Sequence, residues 1–346
     1  MPIISDIQLK EHIKTNSLSR VYLLCGNEGY LKSKYLNQLV KTALDNEDSN
    51  FAYSVFETQN YNTDIFYDFI SMLPFGVNKK CAVISDVDFG EKFSSDVNKL
   101  IEALSDIPDF STVIFYYNAI DPEKSKTSFK ALLDFIKDAG DIVRFDKKTE
   151  RDIIPFLTKL AANNGSKINS HTARYLVDCC GDDLQTLINE TEKLCFYCTG
   201  QEITPSDIDL LCVKTLESNV FSMTDAIVTG NTDKALAVLN DLFFAKTASE
   251  QILGAMSASF VNMYKARVSM NCDLTREEFS KNAGIKSGAL YNFQKNAKNF
   301  TMPRIRKCLK ILESADYTMK STYLSENKKR ILIEETVVKL VKSAVL

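Results

Sequence analysis

Val21-Tyr22-Leu23-Leu24-Cys25-Gly26-Asn27-Glu28-Gly29-Tyr30-Leu31-Lys32-Ser33 decides the fold. Its second half lies in register with the phosphate-binding pattern of glycine, four residues, glycine, lysine, then serine or threonine. Gly26, Lys32 and Ser33 match, and Leu31 stands where the second glycine belongs. The apolar run Val21–Cys25 precedes the loop, and helical spacing from Tyr30 to Leu44 follows it. A strand–loop–helix nucleotide-binding unit is therefore expected, but with impaired chemistry. The missing glycine would let backbone N–H groups approach a phosphate, and Leu31 puts a bulky side chain there. The loop residues Gly26, Leu31, Lys32 and Ser33 are expected not to bind nucleotide, which points to a protein that works by contact with partners.

Outward from this loop, short apolar runs alternate with amphipathic segments up to residue 148. Strands are expected at Arg20–Cys25, Ala52–Phe56, Cys81–Ser85, Thr112–Tyr117 and Asp141–Phe145. Helices are expected at Leu31–Leu44, Thr63–Met72, Asp96–Ser105 and Ser128–Asp138. Such alternation implies a mainly parallel sheet covered by helices on both faces. The third strand runs into Asp86, the place for a magnesium-binding acid, but Val87 follows, so no acidic pair completes a hydrolytic site.

Beyond Lys148 the periodicity is helical: Glu150–Asn164, Ser170–Cys180, Leu184–Cys198 and Pro205–Cys212. Thr149 with Asp152, Ser170 before His171, and Thr204-Pro205 are start signals, and Gly165, Gly181 and Gly200 sit at the breaks. From about Val220 onward the spacing of Ile252, Met256, Phe260 and Met263, then Ile305, Leu309 and Leu312, is again helical. The fold class expected is α/β plus all-α, with domains at 1–148, 149–214 and 215–346.

Composition narrows the function. The chain has 346 residues, 45% apolar and 25% charged, with a net charge of −3 that gives no global attraction to nucleic acid. Lys79-Lys80, Arg304 to Lys310 and Lys328 to Arg330 are local basic stretches, expected to be solvated surface. No apolar run approaches the roughly 20 residues that span a bilayer, and Met1 to Lys14 lacks a signal-peptide core. The expected location is cytoplasmic, with no membrane partner. The nine cysteines are then expected to be reduced thiols. The only CxxC, Cys195 to Cys198, has no matching pair at zinc spacing and reads as helix packing, so no metal is expected. His12 and His171 stand far apart, and there is no GxSxG or HExxH. No catalytic residues and no cofactor are expected.

Four stretches carry a family resemblance: Val21 to Leu31; Met72-Leu73-Pro74-Phe75-Gly76-Val77-Asn78-Lys79-Lys80 before a strand; Gly181-Asp182-Asp183-Leu184 with Asn189-Glu190-Thr191-Glu192-Lys193-Leu194; and Val220 to Ile227 with Ala315 to Ser321. With these, in this order, the chain resembles the delta subunit of the bacterial DNA polymerase III clamp loader over nearly its full length. The resemblance implies a degenerate AAA+ (P-loop-like) module with a helical lid, followed by a helical collar domain. It implies a subunit that binds the sliding clamp (beta) and opens its ring for loading onto primed DNA, without hydrolysing ATP. Implied partners are the clamp, the delta prime and gamma/tau subunits in a hetero-oligomer, and primed DNA through the assembled complex. Any nucleotidyltransferase activity would belong to the polymerase holoenzyme.

The segment matching the family's clamp-binding element is Leu73, Pro74 and Phe75. Proline disfavours helix in its predecessor, so the helix from Thr63 should end by Leu73, and Gly76 lets the chain reverse. Leu73 and Phe75 on such a turn are either interface anchors or part of their own domain's core. Pro74 separates them where family members have an adjacent Leu-Phe pair. Two other functions compete. An active AAA+ ATPase is kept open by Lys32 and Ser33, and opposed by Leu31 and the lone Asp86. A DNA-binding module is suggested by Arg276–Lys298, faintly like a helix-turn-helix around Gly284-Ile285-Lys286, with Lys281, Lys286, Lys295 and Lys298 facing phosphates.

Overall fold

The computed structural model describes residues 4–46, 51–122, 127–271, 274–285, 287–298 and 300–345. The chain forms two compact units, Met1–Ile153 and Ile154–Leu346.

The first unit holds a five-stranded sheet: β1 (Val21–Cys25), β2 (Tyr53–Glu57), β3 (Lys80–Ser85), β4 (Ser111–Tyr116) and β5 (Asp141–Arg144). The order is β2-β3-β4-β1-β5, and every pairing is parallel. Between the strands run α1 (Asp6–Thr15), α2 (Gly29–Ala43), α3 (Thr63–Ser71), α4 (Val97–Ser105) and α5 (Thr127–Ala139), with α1 preceding β1. Strand side chains alternate between two cores, as a period of two requires. Val21, Leu23, Ala82, Ile84, Val113 and Phe115 face the core that includes residues of α3, α4 and α5. Tyr22, Leu24, Cys81, Val83, Ile114 and Val143 face the one that includes residues of α1 and α2. The central strands are therefore apolar along most of their length, which explains their hydrophobic runs.

All five expected strands are present, with ends shifted by a residue or two. The helix α1 was not foreseen. Its signal is a capping box: the Ser5 N–H donates to Gln8 Oε1 (2.9 Å) and the Gln8 N–H to Ser5 Oγ (3.3 Å).

The second unit is helical: α6 (Glu150–Asn163, which starts before the division), α7 (Ser170–Cys180), α8 (Leu184–Cys198), α9 (Pro205–Leu211), α10 (Leu216–Val228), α11 (Thr232–Phe244), α12 (Ser249–Ser269), α13 (Arg276–Ala283), α14 (Ser287–Lys298), α15 (Met302–Ser321) and α16 (Glu326–Val345). The caps follow the sequence signals with one correction. The start of α7 is capped by Asn169, whose side chain accepts from the Thr172 N–H at 2.8 Å, and Ser170 is already helical. Thr149 and Thr204 each donate through their N–H and hydroxyl to the carboxylate three residues on, Asp152 and Asp207. The helices from α10 to α16 share one apolar core around Phe260, Met263, Leu290, Phe300, Leu312 and Val337. No helix is long and apolar enough to cross a membrane among the described residues. The eight described cysteines are free thiols.

The turn from β1 into α2 is set by close backbone approach. Gly26 has φ +106°, and a Cβ built there would lie 2.3 Å from the Phe145 carbonyl oxygen. Gly26→Ala is therefore expected to cost about 2–4 kcal/mol, since backbone on both sides must move. Urea unfolding of the variant beside the unaltered chain measures it.

Candidate functional site

The loop after β1 satisfies itself. The Glu28 N–H donates to the Phe145 carbonyl (2.9 Å), and the Lys32 N–H to the Glu28 carbonyl (3.2 Å), closing the first turn of α2. The Lys32 side chain runs inward and is 1% exposed. Its Nζ donates to the Gly26 carbonyl at 2.8 Å and to the Tyr117 carbonyl at 2.7 Å. Burial lowers its pKa, against the opposing charges of Asp86, Cys25 and Glu28. Two of its three donors are thus committed to backbone oxygens, one of them in the loop that would cradle a phosphate. Leu31 is half-buried against the core shared by α1 and α2. Ser33 Oγ and the Tyr116 hydroxyl are 2.9 Å apart. All four loop positions singled out from sequence are brought together, and Leu31, Lys32 and Ser33 face protein partners.

Asp86 has a structural assignment too. It takes a left-handed conformation, φ +48°, just past β3. Its Oδ1 accepts from the N–H groups of Asn118 (2.8 Å), Ala119 (2.9 Å) and Ile120 (3.3 Å). One carboxylate oxygen therefore fixes the chain leaving β4.

The turn after α3 is built differently. Asn62 caps the start of α3, accepting from the N–H groups of Asp64 (2.9 Å) and Ile65 (3.1 Å). Helical geometry stops at Met72, whose ψ of 132° is extended, as Pro74 two residues later leads one to expect. The last carbonyls of α3 are taken up by side chains from the sheet. Lys80 Nζ donates to the carbonyls of Phe69 (2.5 Å) and Met72 (3.1 Å) and sits 4.3 Å from the Phe69 ring centre. Ser111 Oγ donates to the Ile70 carbonyl at 2.7 Å. Lys80, expected on a solvated surface, is only 4% exposed, and burial lowers its pKa. The reason is position: it opens a strand flanked by β2 and β4, where its stem is covered and its ammonium completes a helix end.

Beyond this anchored backbone the side chains face solvent. Met72 is 66% exposed, Leu73 75% and Phe75 84%, while Pro74 is half-buried. Gly76 reverses the chain at φ +73°. Ile65 and Tyr67 on α3 are also exposed, whereas Phe66 and Ile70 fill the core. The core-packing reading of Leu73 and Phe75 is thus excluded within the chain. Sequence reasoning missed the exposure of Met72, Ile65 and Tyr67. The helical period of α3 could have given the last two, because Phe66 and Ile70 define the opposite face.

Of the other candidates, α13 and α14 are joined at Gly284, φ +67°, as a helix-turn-helix-like pair. Lys281, Lys295 and Lys298 are exposed, and Lys286 lies outside the described residues. Cys195 is buried in α8 and Cys198 half-buried at its end, in keeping with packing.

Comparison with known proteins places the chain in a family. A family model described as "DNA polymerase III, delta subunit" matches residues 22–139, and one described as "DNA polymerase III delta subunit, C-terminal domain" matches residues 217–340. The chain belongs to the DNA polymerase III delta-subunit family. Among curated relatives, the DNA polymerase III subunit delta of Bacillus subtilis is 22% identical, covering 95% of each chain. A probable DNA polymerase III subunit delta of Aquifex aeolicus is 25% identical over 71% of this chain and 70% of its own. Among solved structures, the Bacillus subtilis DNA clamp loader delta protein superposes with a TM-score of 0.60 and 21% identity, covering 97% of this chain and 99% of that one. The delta-family fold here is a parallel α/β module followed by helices.

Because the Lys32 ammonium is an internal support, Lys32→Ala is expected to lower stability by about 2–4 kcal/mol, from the cavity and two orphaned carbonyls. A lysine free in solution would leave stability within about 0.5 kcal/mol. Mg-ATP is expected to leave the thermal midpoint of the unaltered chain where it was. Urea and thermal unfolding check both.

Proposed function

We propose that this delta-family chain is the clamp-opening subunit of a bacterial clamp loader. It holds the sliding clamp through Leu73, Pro74 and Phe75, with Met72 as a fourth contact. The observation that carries this is an apolar turn kept in water just past a helix end that the sheet holds in place. Leu73 and Phe75 are 75% and 84% exposed, while the carbonyls beneath them are bound by Lys80 and Ser111. Large apolar side chains held out in this way mark interaction sites, and aromatic anchors dominate interface energies.

The mechanism is mechanical. A turn that binds a strained or open clamp interface more tightly than a closed one shifts the ring toward opening by that difference in affinity. Sister subunits of the delta prime and gamma/tau types would bind and hydrolyse ATP. Primed DNA, met through the assembled loader, would trigger release. In this chain Lys32 is bound to Gly26 and Tyr117, which supports a role without ATP hydrolysis and counts against the active-ATPase alternative. The helices of 149–214 would act as the lid, and those of 215–346 as the collar that meets the sisters.

Phe75→Ala is expected to weaken binding of the same organism's sliding clamp at least tenfold, about 1.4 kcal/mol. Its thermal midpoint should stay nearly unchanged, because the ring touches little of its own chain. Titration of the clamp by calorimetry reads the affinity; an unaltered value for Phe75→Ala and Leu73→Ala alike would reject this site. The ratio of the two losses reports which side chain sits deeper.

A further inference from the structure

Three side chains far apart in sequence converge where α7, α8 and α9 meet. Cys180 is the last residue of α7, Glu190 lies in the second turn of α8, and Cys212 caps the end of α9. Their two Sγ atoms and a carboxylate oxygen all lie within 4.8 Å of one another. The backbone brings them there. Gly181, φ +86°, ends α7, and the Thr215 N–H donates to the Cys179 carbonyl at 2.9 Å, pinning the segment after Cys212 beside the end of α7. Both cysteines are buried. Glu190 Oε2 is also buried, with the Lys193 ammonium 2.5 Å away and the Cys212 thiol beside the carboxylate.

We propose that Cys180, Cys212 and Glu190 form a three-ligand site for a zinc-type divalent cation, with water as the fourth ligand. Two thiolates and one carboxylate suit zinc and exclude magnesium and calcium, which take oxygen ligands alone. Zinc–sulfur bonds of about 2.3 Å and a zinc–oxygen bond of about 2.0–2.2 Å in a tetrahedron put the ligand atoms roughly 3.5–3.8 Å apart. Atoms already within 4.8 Å reach that spacing by small rotamer adjustments. The cation with three anionic ligands carries one net negative charge, which the ammonium of Lys193 at Glu190 balances. Bound metal would tie three helix segments into one rigid unit, because closing the site joins positions 180, 190 and 212.

The test uses the full chain, metal-free and in a reducing buffer, titrated with cobalt(II) and followed by thiolate-to-cobalt charge-transfer absorption. A saturable band at one equivalent is expected, displaced by zinc(II) and lost in Cys180→Ser and in Cys212→Ser. The band should persist in Cys195→Ser. No band from the unaltered chain, or one that survives Cys212→Ser, overturns the site. Glu190→Gln keeps both thiols and guards against variants that do not fold. It should keep the band but bind cobalt at least about tenfold more weakly, and equal affinity overturns the three-ligand assignment.

Discussion

The carboxyl ends of β1 and β4 are joined through one buried ammonium. Lys32 Nζ bridges the Gly26 carbonyl, just past β1, and the Tyr117 carbonyl, just past β4. Asp86, just past β3, ties in the chain after β4 by three N–H bonds to one oxygen. In an open parallel sheet this edge is where ligands are ordinarily received. Here Lys32 and Asp86 spend their bonds on the chain itself. A buried charge is tolerable only with such partners, and Lys32 has two carbonyls and an acid nearby. These bonds tie the ends of β1, β3 and β4 into one scaffold.

A second buried lysine turns that scaffold outward. Lys80 belongs to β3, yet its ammonium closes the end of α3. The entry to the turn, at the Met72 carbonyl, is therefore anchored before any partner arrives. A partner that docks on Leu73 and Phe75 need not order the helix end that leads into them, which lowers the entropic cost of association. Both lysines lie buried where local sequence would leave a lysine at the surface, because their partners are backbone carbonyls brought in by tertiary structure.

What could be read from the sequence follows from range. The strands, the parallel sheet, the end of α3 before Pro74 and the glycine breaks at Gly165, Gly181 and Gly200 depend on neighbours a few residues apart, so hydrophobic period and cap chemistry expose them. Leu73 and Phe75 could be named but not resolved between core and surface. That depends on whether Phe66 and Ile70 already fill the space beneath, which they do. Lys80 misled because a charge beside an apolar run reads as solvated. The convergence of Cys180, Glu190 and Cys212 left no trace in any spacing, since three helices must fold before those atoms meet.

The close contact of Gly26 with Phe145 has a consequence for how such chains drift. The contact belongs to the packing of β1 against β5, so it would persist whether or not a phosphate ever entered the loop. Position 26 is bound to glycine by geometry alone, while position 31 has space for a side chain that rests on the apolar core beside α2. A nucleotide motif losing its purpose should erode unevenly, keeping those letters that also hold the backbone together. The loop of this chain keeps glycine where the Phe145 backbone leaves no room for a side chain and carries leucine where the apolar core accepts one.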